Sequence, residues 1–260
     1  MPGKRIVAAQ VKKRFREFAD DEAFNELAPS TRKMKLLASL KCDSRHERAL
    51  RLKGVDTIAG IDEVGCGALF GPVVAAAVIL PKGFALAGLR DSKQLEPETR
   101  ERMAAHIHRR AIAVAIESVD AATIDRVNIY QARRMAMTAA VMRLDPQPNH
   151  LLIDAMTLDL PHSQTNLLYG DSLSVTIAAA SVVAKVFRDA LVRQLAETYP
   201  QYGLASNKGY STPGHKRALR EHGPSPLHRR SFWPVGSLEA ALVAGCPVDV
   251  LAAEPIEAVE

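Results

Sequence analysis

No residue from Val64 to Pro81 carries a charge, a run of 18 residues. That approaches the roughly 20 apolar residues that cross a bilayer as a helix. Gly65, Gly67, Gly71 and Pro72 interrupt its first half, and glycine followed by proline is turn chemistry. The run therefore reads as a glycine-rich turn and then a buried strand, Pro72–Leu80 (PVVAAAVIL). A strand apolar on both faces must be covered on both faces, which puts it inside a layered domain. The opening residues, MPGKRIVAAQVKKRF, break their apolar stretch too early for a secretory signal. The expectation is a soluble, cytoplasmic protein that does not engage a membrane.

The surrounding pattern alternates. Thr57–Asp62 (TIAGID) predicts a strand, Pro97–Arg110 a helix and Ala111–Val119 a third strand. A long helical region follows over about 121–143, then a strand at His150–Asp154 and a short one at Asn166–Tyr169. Ser172 to about Thr198 has helical spacing, with Ile177, Ala180, Ala184, Phe187 and Leu191 on one face. Residues 200–235 are rich in Gly, Pro, His and aromatics, with one short helix near 213–222. Adjacent strands followed by strand–helix alternation predict an α/β layered domain with a mixed sheet flanked by helices.

The 260 residues suffice for one sizeable domain plus appendages. Charge marks the boundaries. Residues 1–53 are net +7, residues 54–235 net +3 and residues 236–260 net −5. The expected division is a basic, helical extension at 1–53, a catalytic domain at 54–235 and an acidic, weakly ordered tail at 236–260. In the extension, helical stretches at 8–27 and 30–52 are separated by a break and N-cap at Ala28-Pro29-Ser30-Thr31. A basic arm suits a polyanion, although Lys and Arg also simply keep an extension soluble. Three widely spaced cysteines, Cys42, Cys66 and Cys246, argue against a disulfide scaffold or a paired-cysteine zinc site.

Two motifs mislead. Gly65-Cys66-Gly67-Ala68-Leu69-Phe70-Gly71 has its third glycine one residue late for a dinucleotide fingerprint, and a strand follows where a helix should open. Gly170-Asp171-Ser172-Leu173 spells the block of serine esterases, but no later Asp has His three residues on to supply the base.

Carboxylates at strand ends carry more weight. Asp62 and Glu63 end one apolar strand beside the glycine turn, Asp154 ends another, and Asp171 lies just past the short segment ending at Tyr169. Asp62 and Glu63 point to opposite faces within a strand and converge only if the strand finishes there, as the glycines imply. Read alone, Asp171 suits an N-cap and Asp154 a turn. Brought together without adjacent Lys or Arg, such acids would call for an oxygen-seeking divalent cation, Mg²⁺ or Mn²⁺.

A resemblance joins these pieces. Gly60-Ile61-Asp62-Glu63-Val64-Gly65, Gly71 to Leu80, Asp91-Ser92-Lys93 with Leu95, Asn128-Ile129, Leu152-Ile153-Asp154 and Gly170-Asp171 follow one another in order. Ile177 to Ser181, Ala184-Lys185, Arg188-Asp189, Tyr199-Pro200, Asn207-Lys208-Gly209-Tyr210 and His228 to Phe232 complete the series. Over about 57–235 the chain resembles prokaryotic ribonuclease HII. That resemblance implies an RNase H-like fold with a C-terminal helical part. It implies hydrolysis of the RNA strand in RNA–DNA hybrids, and cutting 5′ of single ribonucleotides in duplex DNA, leaving 3′-hydroxyl and 5′-phosphate ends. It assigns catalysis to Asp62, Glu63, Asp154 and Asp171, the first three as ligands of two divalent cations, with Asp189 supporting. It also implies that Gly65, Cys66 and Gly67 read the ribose 2′-hydroxyl, Tyr210 stacks on a sugar, and Lys93 and Lys208 hold phosphates. A monomer is expected, since no heptad seam is sustained.

The family turn is normally Gly-Arg-Gly, and here Cys66 stands where arginine is usual. Backbone contacts survive that change, whereas a guanidinium beside a phosphate does not. A basic residue of 1–53 is an alternative source of the missing charge.

Overall fold

The computed structural model describes residues 9–19, 21–89, 92 and 95–243. The chain divides into two compact units. The first comprises Met1–Val64, Val74–Glu117 and Arg134–Val186, the second Gly65–Val73, Ser118–Arg133 and Phe187–Glu260.

The first unit is built on the sheet. Strands β1 (Ile58–Val64), β2 (Val73–Ile79), β3 (Ala113–Val119), β4 (His150–Asp154) and β5 (Ser163–Leu167) lie in the order β3-β2-β1-β4-β5. β1 runs antiparallel to β2 and parallel to β4, and β4 runs parallel to β5, so the sheet is mixed as expected. Every residue of β2 is buried, which explains why its sequence shows no polar alternation. The pattern predicts β5 at Asn166, but it begins at Ser163, because the polar Ser-Gln-Thr start carries no apolar signal.

Helices α1 (Ala9–Ala19), α2 (Glu22–Asn25), α3 (Pro29–Ser39) and α4 (Arg45–Arg51) precede the sheet. α3 is capped by Ala28 with Pro29 in the first helical position, so Ser30 and Thr31 are not the cap. Helix α5 (Pro97–Arg110) buries Met103, Ala104 and Ile107 against Val74, Ala76 and Val78. The region 121–143 forms two helices, α6 (Ala121–Val127) and α7 (Ile129–Met142). They part at Asn128, whose backbone is left-handed (φ 69°) and whose side chain accepts from the Gln131 amide at 3.1 Å. Helix α8 (Val175–Thr198) carries Ala178, Ala179 and Ala180 near its start, small enough to lie close to the sheet.

The start of α8 is held from α4. Glu47, only 3% exposed, accepts at Oε1 from the Ser174 hydroxyl (2.6 Å), the Thr176 amide (3.0 Å) and the Thr176 hydroxyl (2.9 Å). A carboxylate there satisfies an orphan first-turn amide and meets the positive end of the helix. Glu47→Ala should therefore cost about 2–3 kcal/mol and lower the melting temperature by roughly 5–10 °C. Glu47→Gln, still an acceptor, should lose less. Thermal melting checks both, and equal melting for wild type and Glu47→Ala would contradict the role. Val11 also packs with Leu173. Deleting 1–53 thus removes structural contacts as well as positive charge.

The second unit is helical. It contains α9 (Leu204–Asn207), α10 (Pro213–His222) and α11 (Val235–Val243) around Phe70, Val192, Tyr202, Leu219, Val235 and Leu238. His215 Nε2 lies 3.0 Å from His228 Nε2. Burial, and then His215 beside it, pushes His228 down to about 3, and burial lowers His215 as well. Here the stripe expected along α8 fails: Phe187 is 42% exposed, whereas Arg188 and Val192 are fully buried. Spacing alone favours the phenylalanine, but carbonyl partners on the glycine turn make the arginine's burial possible. α11 occupies the head of the stretch expected to be a tail, and residues 244–260 lie outside the described ones. Among the described residues no helix is long and apolar enough to cross a membrane.

Candidate active site

The first unit gathers the four acids. β1 and β4 run in parallel register with Ile61 opposite Ile153, so Asp62 and Asp154 each come next after a paired residue on adjacent strands. β1 does not finish at Glu63 as expected. It continues to Val64, with Asp62 opposite Ala76 and Glu63 opposite Ala75 on β2. Alternation therefore sends Asp62 into the buried side, where it is 5% exposed, and leaves Glu63 half-buried. The Glu63 amide donates to Asp62 Oδ1 at 2.8 Å. Asp154 Oδ1 accepts from the Gly170 amide at 2.7 Å, which ties the end of β4 to the turn carrying Asp171. A Cβ on Gly170 would lie 2.6 Å from Ile177 Cδ1 and 3.3 Å from Asp154 Oδ1, so glycine lets that turn come close.

Asp171 does not cap α8. It sits, 7% exposed, in a single 3₁₀ turn, Gly170–Ser172, while Ser174 Oγ and Glu47 serve the helix start. Nor is Ser172 an activated nucleophile: it is 3% exposed and its hydroxyl points to Asp171 Oδ1 at 3.5 Å. Asp154 likewise holds the Gly170 amide.

Electrostatics show that these acids act on one another. Asp62 is held well above the usual carboxylate range by burial first, then by Asp154, Glu63 and Asp171. The Ser181 hydroxyl opposes this. Among the described residues no three His, Cys, Asp or Glu side chains stand in a ready-made coordination cage. The set is a repelling group of oxygen donors, the donor chemistry that suits a hard divalent cation.

The second unit holds most of the other expected residues. Gly65 is left-handed (φ 91°), half-buried Cys66 offers its carbonyl to Arg229 Nη1 at 3.0 Å, and Gly67 is exposed. Ala68 and Tyr210 form an isolated bridge, and the Leu69 amide donates to the Gly209 carbonyl at 2.8 Å, so the turn and Tyr210 are tied together. Lys208 donates from Nζ to the Ala205 carbonyl and has Asp189 beside it, which places Asp189 with the basic group of this unit. Lys93, the other expected phosphate contact, lies outside the described residues.

Sequence reasoning missed Arg188 and Arg229 as site residues. Both are fully buried under the turn carbonyls. Their only signal was membership of longer motifs.

The ribonuclease HII family model matches residues 59–235. A ribonuclease HII from Koribacter versatilis (strain Ellin345) is 55% identical over 225 residues, covering 86% of each chain. One from Geobacillus kaustophilus (strain HTA426) is 56% identical over 191 residues, covering 74% of each. The crystal structure of ribonuclease H2 from Pyrococcus horikoshii OT3 superposes with a TM-score of 0.63 at 23% identity, covering 72% of this chain and 99% of that one. That likeness fixes the fold as RNase H-like. A family match running from β1 to residue 235, with relatives more than half identical over most of their length, leads to one assignment: this chain belongs to the ribonuclease HII family and is a hydrolytic endonuclease acting on RNA–DNA hybrids.

Proposed function

We propose that the enzyme also cuts 5′ of single ribonucleotides embedded in duplex DNA, by a two-metal hydrolysis leaving 3′-hydroxyl and 5′-phosphate ends. The observation that carries this reading is the gathering of the acids: Asp62 is buried next to the β1–β4 pairing that brings Asp154 alongside, Asp154 is tied to the turn of Asp171, and Asp154, Glu63 and Asp171 all act against the ionised form of Asp62. Asp62, Glu63 and Asp154 would hold the cations, Mg²⁺ or Mn²⁺, and Asp171 completes the acidic set. Cations held there would supply a nucleophilic water near neutral pH and charge stabilisation at the phosphate. The carboxylates offset the cations' charge and fix their position. Water oxygen bonds to phosphorus, the bond to the 3′ oxygen breaks, and the proton released by water balances the one taken up by that oxygen.

Selectivity rests on the turn. The amides of Gly65, Cys66 and Gly67 read the 2′-hydroxyl, the group that separates RNA from DNA. Tyr210 stacks on the neighbouring sugar, Lys93 and Lys208 contact phosphates, and Asp189 supports them; such phosphate contacts position without reading sequence. Residues 54–235 form the catalytic domain, 1–53 a basic extension and 236–260 an acidic tail, in a monomer working in the cytoplasm.

The end groups test the chemistry. The product of hybrid cleavage should carry a phosphatase-sensitive 5′-phosphate and a 3′-hydroxyl that a polymerase extends. A 2′,3′-cyclic phosphate would contradict this reading, because it arises when the 2′-hydroxyl rather than water attacks.

Cys66→Arg should raise kcat/KM on a single-ribonucleotide duplex by about tenfold or more, the lower bound for a regained charged hydrogen bond. Steady-state cleavage checks it, and no gain would show that the turn needs no cation here.

A further inference from the structure

We infer that Arg188 is a positioning residue that sets discrimination between ribo- and deoxyribonucleotides, by fixing the glycine turn against the Tyr210 segment. This rests on the reading of that turn as the 2′-hydroxyl reader.

Arg188 is fully buried, an expensive place for a guanidinium, and its hydrogen bonds all go to the turn or to the residues flanking Tyr210. Nε donates to the Pro72 carbonyl at 3.2 Å, Nη2 to the Phe70 carbonyl at 3.1 Å and Nη1 to the Lys208 carbonyl at 3.0 Å. One rigid fork therefore joins both ends of the reader. The same guanidinium lies 5.4 Å from the centre of the Tyr210 ring, so the stacking tyrosine rests on it.

The turn is shaped around this side chain. A Cβ at Gly65 would lie 2.2 Å from Arg188 Nε and 2.8 Å from its Cδ, and Gly65 is also left-handed at φ 91°. Glycine and arginine thus require one another: the missing side chain leaves the space, and the guanidinium fills it. Arg229 supports the turn independently, donating to the carbonyls of Gly71 (2.9 Å) and Cys66 (3.0 Å). With its carbonyls held, the turn presents its amides in one arrangement, as a reader of a single hydroxyl must.

Lysine cannot replace this clamp, since one ammonium nitrogen does not span three carbonyls as a planar fork does. The test uses the full chain carrying Asp62→Asn, so that cutting does not interfere. Binding is compared between a DNA duplex with one ribonucleotide and the same duplex in all DNA. Adding Arg188→Lys should reduce the preference for the ribonucleotide duplex by about tenfold or more, with all-DNA affinity nearly unchanged; the variant should also melt lower, so binding is measured at a temperature where it is fully folded. An unchanged preference in the folded variant would overturn the inference. Should Arg188→Lys fail to fold, Gly65→Ala reaches the same contact from the turn and should also reduce the preference; its preservation would likewise overturn the inference. Absence of any preference with Arg188 intact would bring down the reading of the turn, and this inference with it.

Discussion

Asp62→Asn should lower hybrid cleavage by about a thousandfold or more, the scale of losing a group on which the metal-assisted step depends. The same substitution should make the metal-free protein more stable. Asp62 is buried beside Asp154, Glu63 and Asp171, all of which act against its ionised form. Asparagine keeps nearly the same shape and removes one of the repelling charges. At neutral pH with a chelator present, the variant should melt higher than wild type by about 2–5 °C. Added Mg²⁺ or Mn²⁺ should raise the wild type more than the variant, because binding to the folded state alone is stabilising. A variant that is inactive but less stable would contradict the account of the site as a group of acids held together at a cost.

Gly60→Ala has the second large effect, and it concerns the scaffold. A Cβ there would lie 2.2 Å from the Thr176 carbonyl carbon, 2.3 Å from its oxygen and 2.5 Å from the Ile177 amide nitrogen. Those are backbone atoms at the start of α8, held by Glu47, and no rotamer change moves them aside. β1 cannot yield either, since Gly60 lies opposite Val78 on one side and Leu152 on the other. The helix and sheet must separate, at a cost of about 3 kcal/mol or more. A melting temperature lower by roughly 6–12 °C is expected. Gly67→Ala provides the comparison: its Cβ would meet nothing within 4 Å, so its melting temperature should stay within about 2 °C of wild type. Equal melting of the two variants would contradict the close strand–helix contact.

Much of this fold could be read directly. β2 announced itself as an uncharged run after Pro72, β4 as an apolar run ending in Asp154, and α5 and α10 each begin at a proline. What failed was local competition. Asn128 breaks a pattern that is helical on both sides, because its side chain caps the following turn. Asp171 suits an N-cap in sequence, yet that task belongs to Ser174 and to Glu47, 127 residues away from Ser174. Such a partnership leaves no trace in spacing. The parallel pairing of β1 with β4, which brings Asp62 and Asp154 side by side, is likewise long-range. Periodicity could nominate the carboxylates, but only the resemblance said that they meet. Arg188 shows the other limit: apolar patterning assigns a charged residue to the surface, while the carbonyls that make its burial possible come from residues 70, 72 and 208.

The most direct measurement is cleavage of a DNA duplex carrying one ribonucleotide, with Mg²⁺ or Mn²⁺, beside an all-DNA control and the Asp62→Asn variant. The account predicts a metal-dependent cut on the 5′ side of the ribonucleotide, absent from the control and lost in the variant. Binding of that duplex with no cut under either metal, or a cut that survives Asp62→Asn, would contradict it.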